Sequence, residues 1–378
     1  MTRHDPFNHL RLILARKRRK MTAIQVAEAA GLSRVHLSRI ENGQSEPTVE
    51  TVEALAKATR YPVEFFFLQE TCELPAEAVS FRSLKRTSVR EREAARAAGE
   101  IGVDVGQWLS KEFNLPEPVL PDMGYEPNPA AAARGLRQAW GLGEKPIASM
   151  IALLEAKGVR VFSLAEETLN VDAFSFWQDG VPYVFLNTMK TAEHGVMDAA
   201  HELGHLILHA GGNTLHGRDV EREANAFASS FLMPSEDLRG RIPPSPSVHL
   251  LLKLKERWRV SAMALAYRVH GLGLLTDWQY RSMCIDLTQR GYRTGEPGGT
   301  DRDKSRVWKQ VLDHLWREGK TKETIARALH LPVDEIEKLT FGLAAEPVRP
   351  ARGQQLRVIK EITGSRRKAG LQDLEGRL

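Results

Sequence analysis

The sequence predicts a mainly α-helical protein whose central domain is α+β, with a small β-sheet, and whose C-terminal region is helical again. Three observations carry that expectation. Residues 8–68 read as five short amphipathic helices separated by tight turns. Residues 171–177 and 181–186 are strand-like runs rich in aromatic and β-branched residues, and Gln178-Asp179-Gly180 between them is a hairpin turn signal. Residues 246–290 return to helical spacing. At 378 residues the chain exceeds one comfortable core, so two or three domains are expected.

The first domain, residues 1–70, has the constraints of two helices crossing at a sharp angle. Ala27 is small where they approach, Gly31 permits positive φ in the turn, and Ser33 can cap the second helix. Val26, Ala30, Leu32, Leu37 and Ile40 stand at the spacings that bury the inner faces. Arg34, Val35, His36, Ser38 and Arg39 are left on the outer side of the second helix, where a helix lying in the major groove reads base edges. Residues 1–60 carry eleven Lys/Arg against six Asp/Glu, a net +5 that equals the charge of the whole chain. A basic module on a neutral body points to a polyanion partner, and the groove-reading helix makes double-stranded DNA the expected one. Arg16, Lys17, Arg18, Arg19 and Lys20 are expected at phosphates.

The segment 71–129 reads as a helical linker, with residues 87–100 an exposed connecting helix and the Pro-rich stretch 116–129 a boundary. Residues 130–240 form the central domain and hold the sharpest motif, His201-Glu-Leu-Gly-His205. Two His four apart share one helix face and can bind one metal, with Glu202 beside it to take a proton from water. Thr191 can cap this helix, and Val196, Ala200, Leu203 and Ile207 make its apolar stripe. A second amphipathic helix starting at Glu221 supplies a third ligand. Glu221 completes a His₂Glu set with a fourth position open, as a catalytic Zn²⁺ site requires, and Asn225 can bond the free ring nitrogen of a ligand His. Glu223 is the rival third ligand. Tyr183, His209 and His216 are candidate oxyanion donors, His209 otherwise a cleft or surface residue; Asp198 is either structural or a support for the ligands.

Residues 241–290 read as a helical extension and 291–303, rich in Gly and Pro, as a linker. Residues 304–345 read as a further module in which residues 321–339 repeat the spacing of the first, Ala326 matching Ala27 and Leu331 matching Leu32, but His330 stands in place of Gly31. Asp334, Glu335 and Glu337 on its would-be reading helix would repel phosphate, so a packing or dimerisation module is expected. Residues 346–378 read as a basic flexible tail.

Residues 8–68, with the Ser38-Arg-Ile-Glu-Asn-Gly43 segment, resemble the lambda-repressor/Cro-like (XRE) helix-turn-helix family. That resemblance implies base contacts from Arg34 and Arg39, then His36 and Ser38. The two central motifs, with the Phe-Leu-Met-Pro run ending at Pro234, resemble the ImmA/IrrE metallopeptidases, which implies a zincin-like domain with His201, His205 and Glu221 as ligands and Glu202 as general base. Together they imply a DNA-binding regulator with a zinc-dependent endopeptidase that cuts a specific protein, such as a repressor or antitoxin. The other reading is a regulator whose peptidase-like domain senses a ligand or partner without turnover. A homodimer is expected on a palindromic operator. The absence of a signal-peptide pattern or a membrane-length apolar run, and two well-separated cysteines, Cys72 and Cys284, lead to a cytoplasmic, membrane-free expectation.

Overall fold

The computed structural model describes residues 6–69, 72–74, 88–164, 173–210, 218–292 and 295–344. His216 and the 346–378 tail lie outside these residues. The N-terminal module is built from α1 (His9–Arg18), α2 (Ala23–Ala30), α3 (Arg34–Glu41) and α4 (Val49–Thr59), closed by a 3₁₀ turn at Val63–Phe67. Its turns follow from local chemistry. Thr22 and Gln25 form a capping box at the start of α2, Gly31 ends α2 at φ 68°, and the Ser33 hydroxyl accepts from the His36 amide to start α3. Leu12, Val26, Leu37, Ile40, Leu55 and Phe65 are fully buried between the helices.

A long α5 (Val89–Glu112) follows, and here the sequence expectation is corrected. It is no exposed connector: Ala94, Ala98, Ile101, Val105 and Leu109 are buried against the central sheet and α1. The reason is size. A Cβ at Gly102 would lie 2.4 Å from the Phe185 ring, so only glycine admits the aromatic sheet face so closely.

The central region contains α6 (Pro129–Ala139), α7 (Met150–Ala156), β1 (Arg160–Ser163), β2 (Phe174–Gln178), β3 (Val181–Leu186), α8 (Ala192–Leu208), α9 (Arg218–Leu232) and a short α10 (Ser235–Arg239). The sheet order is β1-β3-β2, with β1 parallel and β2 antiparallel to β3. Asp179 (φ 49°) and Gly180 (φ 74°) make the two-residue hairpin turn with the left-handed pair that matches strand twist. Alternation gives the sheet two faces. Phe174, Phe176, Tyr183 and Phe185 stack on one another toward α5, while Ser175 on the other face meets α8. Each fully buried Phe contributes roughly 1.5–3 kcal/mol.

Beyond lie α11 (Val248–Trp258), α12 (Ala262–Gly271) and α13 (Asp277–Gln289), then α14 (Arg306–Arg317), α15 (Lys322–Ala328) and α16 (Val333–Thr340). The expected linker at 291–303 is, over its described part, bonded to the body. Glu296 accepts from the Ala262 amide, buried Lys255 donates to the Gly298 carbonyl, and Asp303 accepts from the Met150 amide at the start of α7. The echo of the first module extends to the backbone, since His330 takes φ 50° where Gly31 takes 68°. No helix among the described residues is long and apolar enough to cross a membrane, and both cysteines are free thiols.

Candidate metal centre and nucleic-acid interface

The His201–Glu202–His205 segment lies on α8, which is buried along nearly its whole length: His201 is 2% exposed and Glu202 3%. The polar side of this helix therefore faces protein, chiefly α9, rather than an open surface. The two helices approach at Gly204, where a Cβ would be 3.1 Å from Phe227 and 3.3 Å from Ala224 of α9. That contact sets Glu221, in the first turn of α9, opposite the His pair. The Nε2 atoms of His201 and His205 are 3.0 Å apart, and the Glu221 carboxylate lies 3.3 Å from the first and 3.5 Å from the second. Burial alone would raise the Glu221 carboxyl, but the two imidazoles beside it outweigh this and hold it well below the usual carboxylate range.

These three donors fit a zinc ion. Bonds of about 2.0–2.1 Å to the corners of a tetrahedron make its edges about 3.3–3.4 Å, the spacing seen here. Two neutral imidazoles and one carboxylate are also the donor set of an open, three-ligand zinc site. Among the described residues this is the one His/Cys/Asp/Glu group whose ligand atoms converge in this way.

Glu202 meets the sheet at Ser175, whose Oγ donates to its Oε2 at 2.7 Å. Burial pushes this carboxyl up, opposed by the neighbouring His205 and His201. Ser175 was not foreseen, because a lone serine in a strand carries no signal of its own. Asn225 is found bonding the Glu221 backbone carbonyl at 2.7 Å, the local bond of an amide four residues along a helix. His201 Nδ1 is buried with no hydrogen-bond partner, so the expected bond from Asn225 to that ring is not made. The rival ligand Glu223 is turned to His209 instead, with its Oε2 3.2 Å from His209 Nε2, and His209 Nδ1 lies 3.2 Å from His205 Nδ1. Tyr183 is on the opposite face of the sheet, packed on Gly106 of α5, and is therefore no oxyanion donor for this site. Asp198 is buried and paired with Lys190 at 3.3 Å.

In the N-terminal module, Arg34, Val35, Ser38 and Arg39 are exposed on α3, His36 is half-buried, and Leu37 and Ile40 face the core. Arg34 approaches Glu28 at 3.8 Å, and Ser38 Oγ accepts from Asn42. The expected phosphate contacts from α1 need correction. Arg18, 5% exposed, donates to Glu335 of α16 at 2.7 Å. Arg19 donates to both carboxylate oxygens of Asp334, at 2.5 and 3.0 Å, and to the Thr59 carbonyl. Arg16 is likewise bonded to Glu41 at 2.6 Å. Their charges are already matched within the protein, which leaves these guanidiniums no face for DNA.

The model of the IrrE N-terminal-like (peptidase M78) domain family matches residues 154–270, from within α7 to the end of α12. A helix-turn-helix family model matches residues 12–66. The chain is similar to the immunity repressor protein of Bacillus phage phi105, with 34% identity over 82 residues, which are 22% of this chain and 56% of the repressor. It thus spans about half the length of that relative. Residues 12–66 are a helix-turn-helix domain and residues 154–270 an IrrE N-terminal-like domain, joined in one polypeptide.

Proposed function

We propose that this chain is a DNA-binding transcriptional regulator whose central domain is a zinc-dependent endopeptidase acting on a specific regulatory protein, such as a repressor or antitoxin. The observation that carries the proposal is the convergence of His201, His205 and Glu221 within 3.5 Å of one another, with the buried carboxylate of Glu202 on the same helix turn. When bound, zinc supplies a Lewis acid that makes water acidic enough to deprotonate near neutral pH and polarises a peptide carbonyl. His201, His205 and Glu221 would hold it. Glu202 takes the proton from the attacking water and returns it to the departing amine. Ser175 pins one of its oxygens, so the carboxylate keeps one orientation during both transfers. Strand β2 stands at the edge of the sheet beside α8, a position that suits an extended peptide added as a further strand.

The exposed face of α3 supports operator binding through Arg34 and Arg39, with His36 and Ser38 beside them, and a two-fold operator suits a homodimer. Arg18 and Arg19 take no part, since both are held by α16. Carrying both functions on one chain suits a substrate that itself acts at the regulated operator.

The test is a Glu202→Gln variant. Cleavage of the co-expressed target should fall by about 10²–10⁴-fold, with zinc content and operator binding unchanged. Regulation by Glu202→Gln equal to that by the wild type would instead favour a sensor without turnover.

A further inference from the structure

The two imidazoles of the cluster are held differently. His201 Nδ1 has no hydrogen-bond partner and depends on packing alone. His205 is held from behind, on the side of its ring away from Glu221. One helical turn beyond it, at the C-terminal cap of α8, His209 turns its Nδ1 to His205 Nδ1 at 3.2 Å. The far nitrogen of His209, Nε2, meets Glu223 Oε2 at 3.2 Å. A carboxylate, an imidazole and a second imidazole thus form a line that ends at the ligand cluster.

We propose that His209, anchored by Glu223, is the positioning residue of the metal site, setting the tautomer and orientation of His205. The inference rests on the zinc reading above and adds a role to two residues outside the ligand set. Its logic is the placement of protons, which the hydrogen-bond network assigns. Glu223 as a carboxylate can only accept, so His209 carries its proton on Nε2 and presents a lone pair at Nδ1. His205 must then carry its proton on Nδ1, and its Nε2 lone pair faces His201 Nε2 and Glu221. His205 Nε2 and the Glu221 carboxylate then both present acceptors, with His201 Nε2 3.0 Å from the first, an arrangement a cation resolves. The same line explains why Glu223 is no ligand although it lies two residues from Glu221: its carboxylate is bonded to His209. His209 is no ligand either, because it stands on the Nδ1 side of His205.

Ligand imidazoles in zinc sites generally donate their second ring nitrogen to a fixed partner, and loss of that partner weakens metal binding about 10–100-fold. The experiment uses the full chain as wild type, His209→Ala, His209→Asn and Glu223→Gln. Zinc affinity is measured by chelator competition, and the ligand field by the absorption spectrum of the Co²⁺-loaded protein. His209→Ala should weaken zinc binding about 10–100-fold and alter the cobalt spectrum, with the metal-free melting temperature close to that of the wild type. His209→Asn, whose amide stands near the place of Nδ1, should restore most of the affinity and the native spectrum. Glu223→Gln should fall between Ala and wild type. Wild-type affinity and spectrum in His209→Ala would overturn the inference while leaving the zinc reading intact. Failure of His209→Asn to recover more than His209→Ala would also overturn it, by reducing His209 to a packing role. Absence of metal binding by the wild type would sink both.

Discussion

Two of the polar clusters among the described residues are balanced in opposite ways. At the junction of α1 and α16, Arg18 and Arg19 meet Glu335 and Asp334, and the Tyr61 hydroxyl donates to Glu335 at 3.2 Å. Arg18, Arg19 and Lys338, the last on Asp334 at 3.1 Å, face the two carboxylates, and burial, with Glu335 next to it, pushes the Tyr61 hydroxyl well up, so it stays neutral. Between α8 and α9, by contrast, the atoms that converge are two imidazole nitrogens and a carboxylate. All are suited to accept, and no side-chain cation stands among the three. A buried cluster that balances itself is a joint between modules; one that asks for an external cation is a site.

That contrast can be broken most strongly at the joint. Arg18→Met leaves Glu335 buried without its main partner, and should cost about 3–5 kcal/mol in chemical denaturation. Pairing it with Glu335→Leu should recover most of the loss, because apolar replacement of a whole buried pair is often neutral. At the proposed metal site the corresponding perturbation is chelation. Zinc at about 100 times its Kd should stabilise the wild type by roughly 2.7 kcal/mol over the metal-free form, whereas the penalty of Arg18→Met should be the same with zinc or chelator. Equal zinc sensitivity in a Glu221→Ala variant would contradict the division.

The next effect concerns DNA. Arg39→Ala on α3 should cost about 1–3 kcal/mol of discrimination at one operator position, read by binding to operator variants. The Arg18→Met/Glu335→Leu double variant should keep the wild-type dependence of binding on salt, since Arg18 neutralises no phosphate. A shallower slope would return Arg18 to the DNA interface.

The pH-dependent effect lies at the packing of α1 against α5. Glu100, buried there beside Arg96, is pushed up from 4.5 to about 7, mainly by burial. The folded state therefore holds this proton to higher pH than the unfolded chain. Stability from this group is largest below pH 4.5 and is lost as pH rises to about 7. Glu100→Gln should flatten that part of the stability profile and be more stable than the wild type at pH 8. An unchanged profile would mean that water reaches this carboxylate.

What the sequence disclosed was what is local. Gly31, Ser33 and the spacing of Leu37 and Ile40 specify the first module within twenty residues, and His201 and His205 share a face by helical period alone. Glu221 is the expected ligand from the sequence, but what turns Glu223 aside, the position of His209, no spacing contains. Arg18 and Arg19 read as phosphate contacts because their partners are more than 300 residues away. Helix α5 read as an exposed connector because alanine and glycine register as weakly hydrophobic, although small size is what lets Phe185 and Tyr183 approach. Ser175 and Glu223 gain meaning only from what faces them.

The most direct measurement is zinc stoichiometry with X-ray absorption on the gently purified full chain, beside Glu221→Ala. One zinc per chain, with nitrogen and oxygen neighbours at about 2.0–2.1 Å and loss of retained metal in the variant, is the expected result. Sub-stoichiometric zinc in the wild type, or a metal environment that Glu221→Ala leaves unchanged, would contradict it.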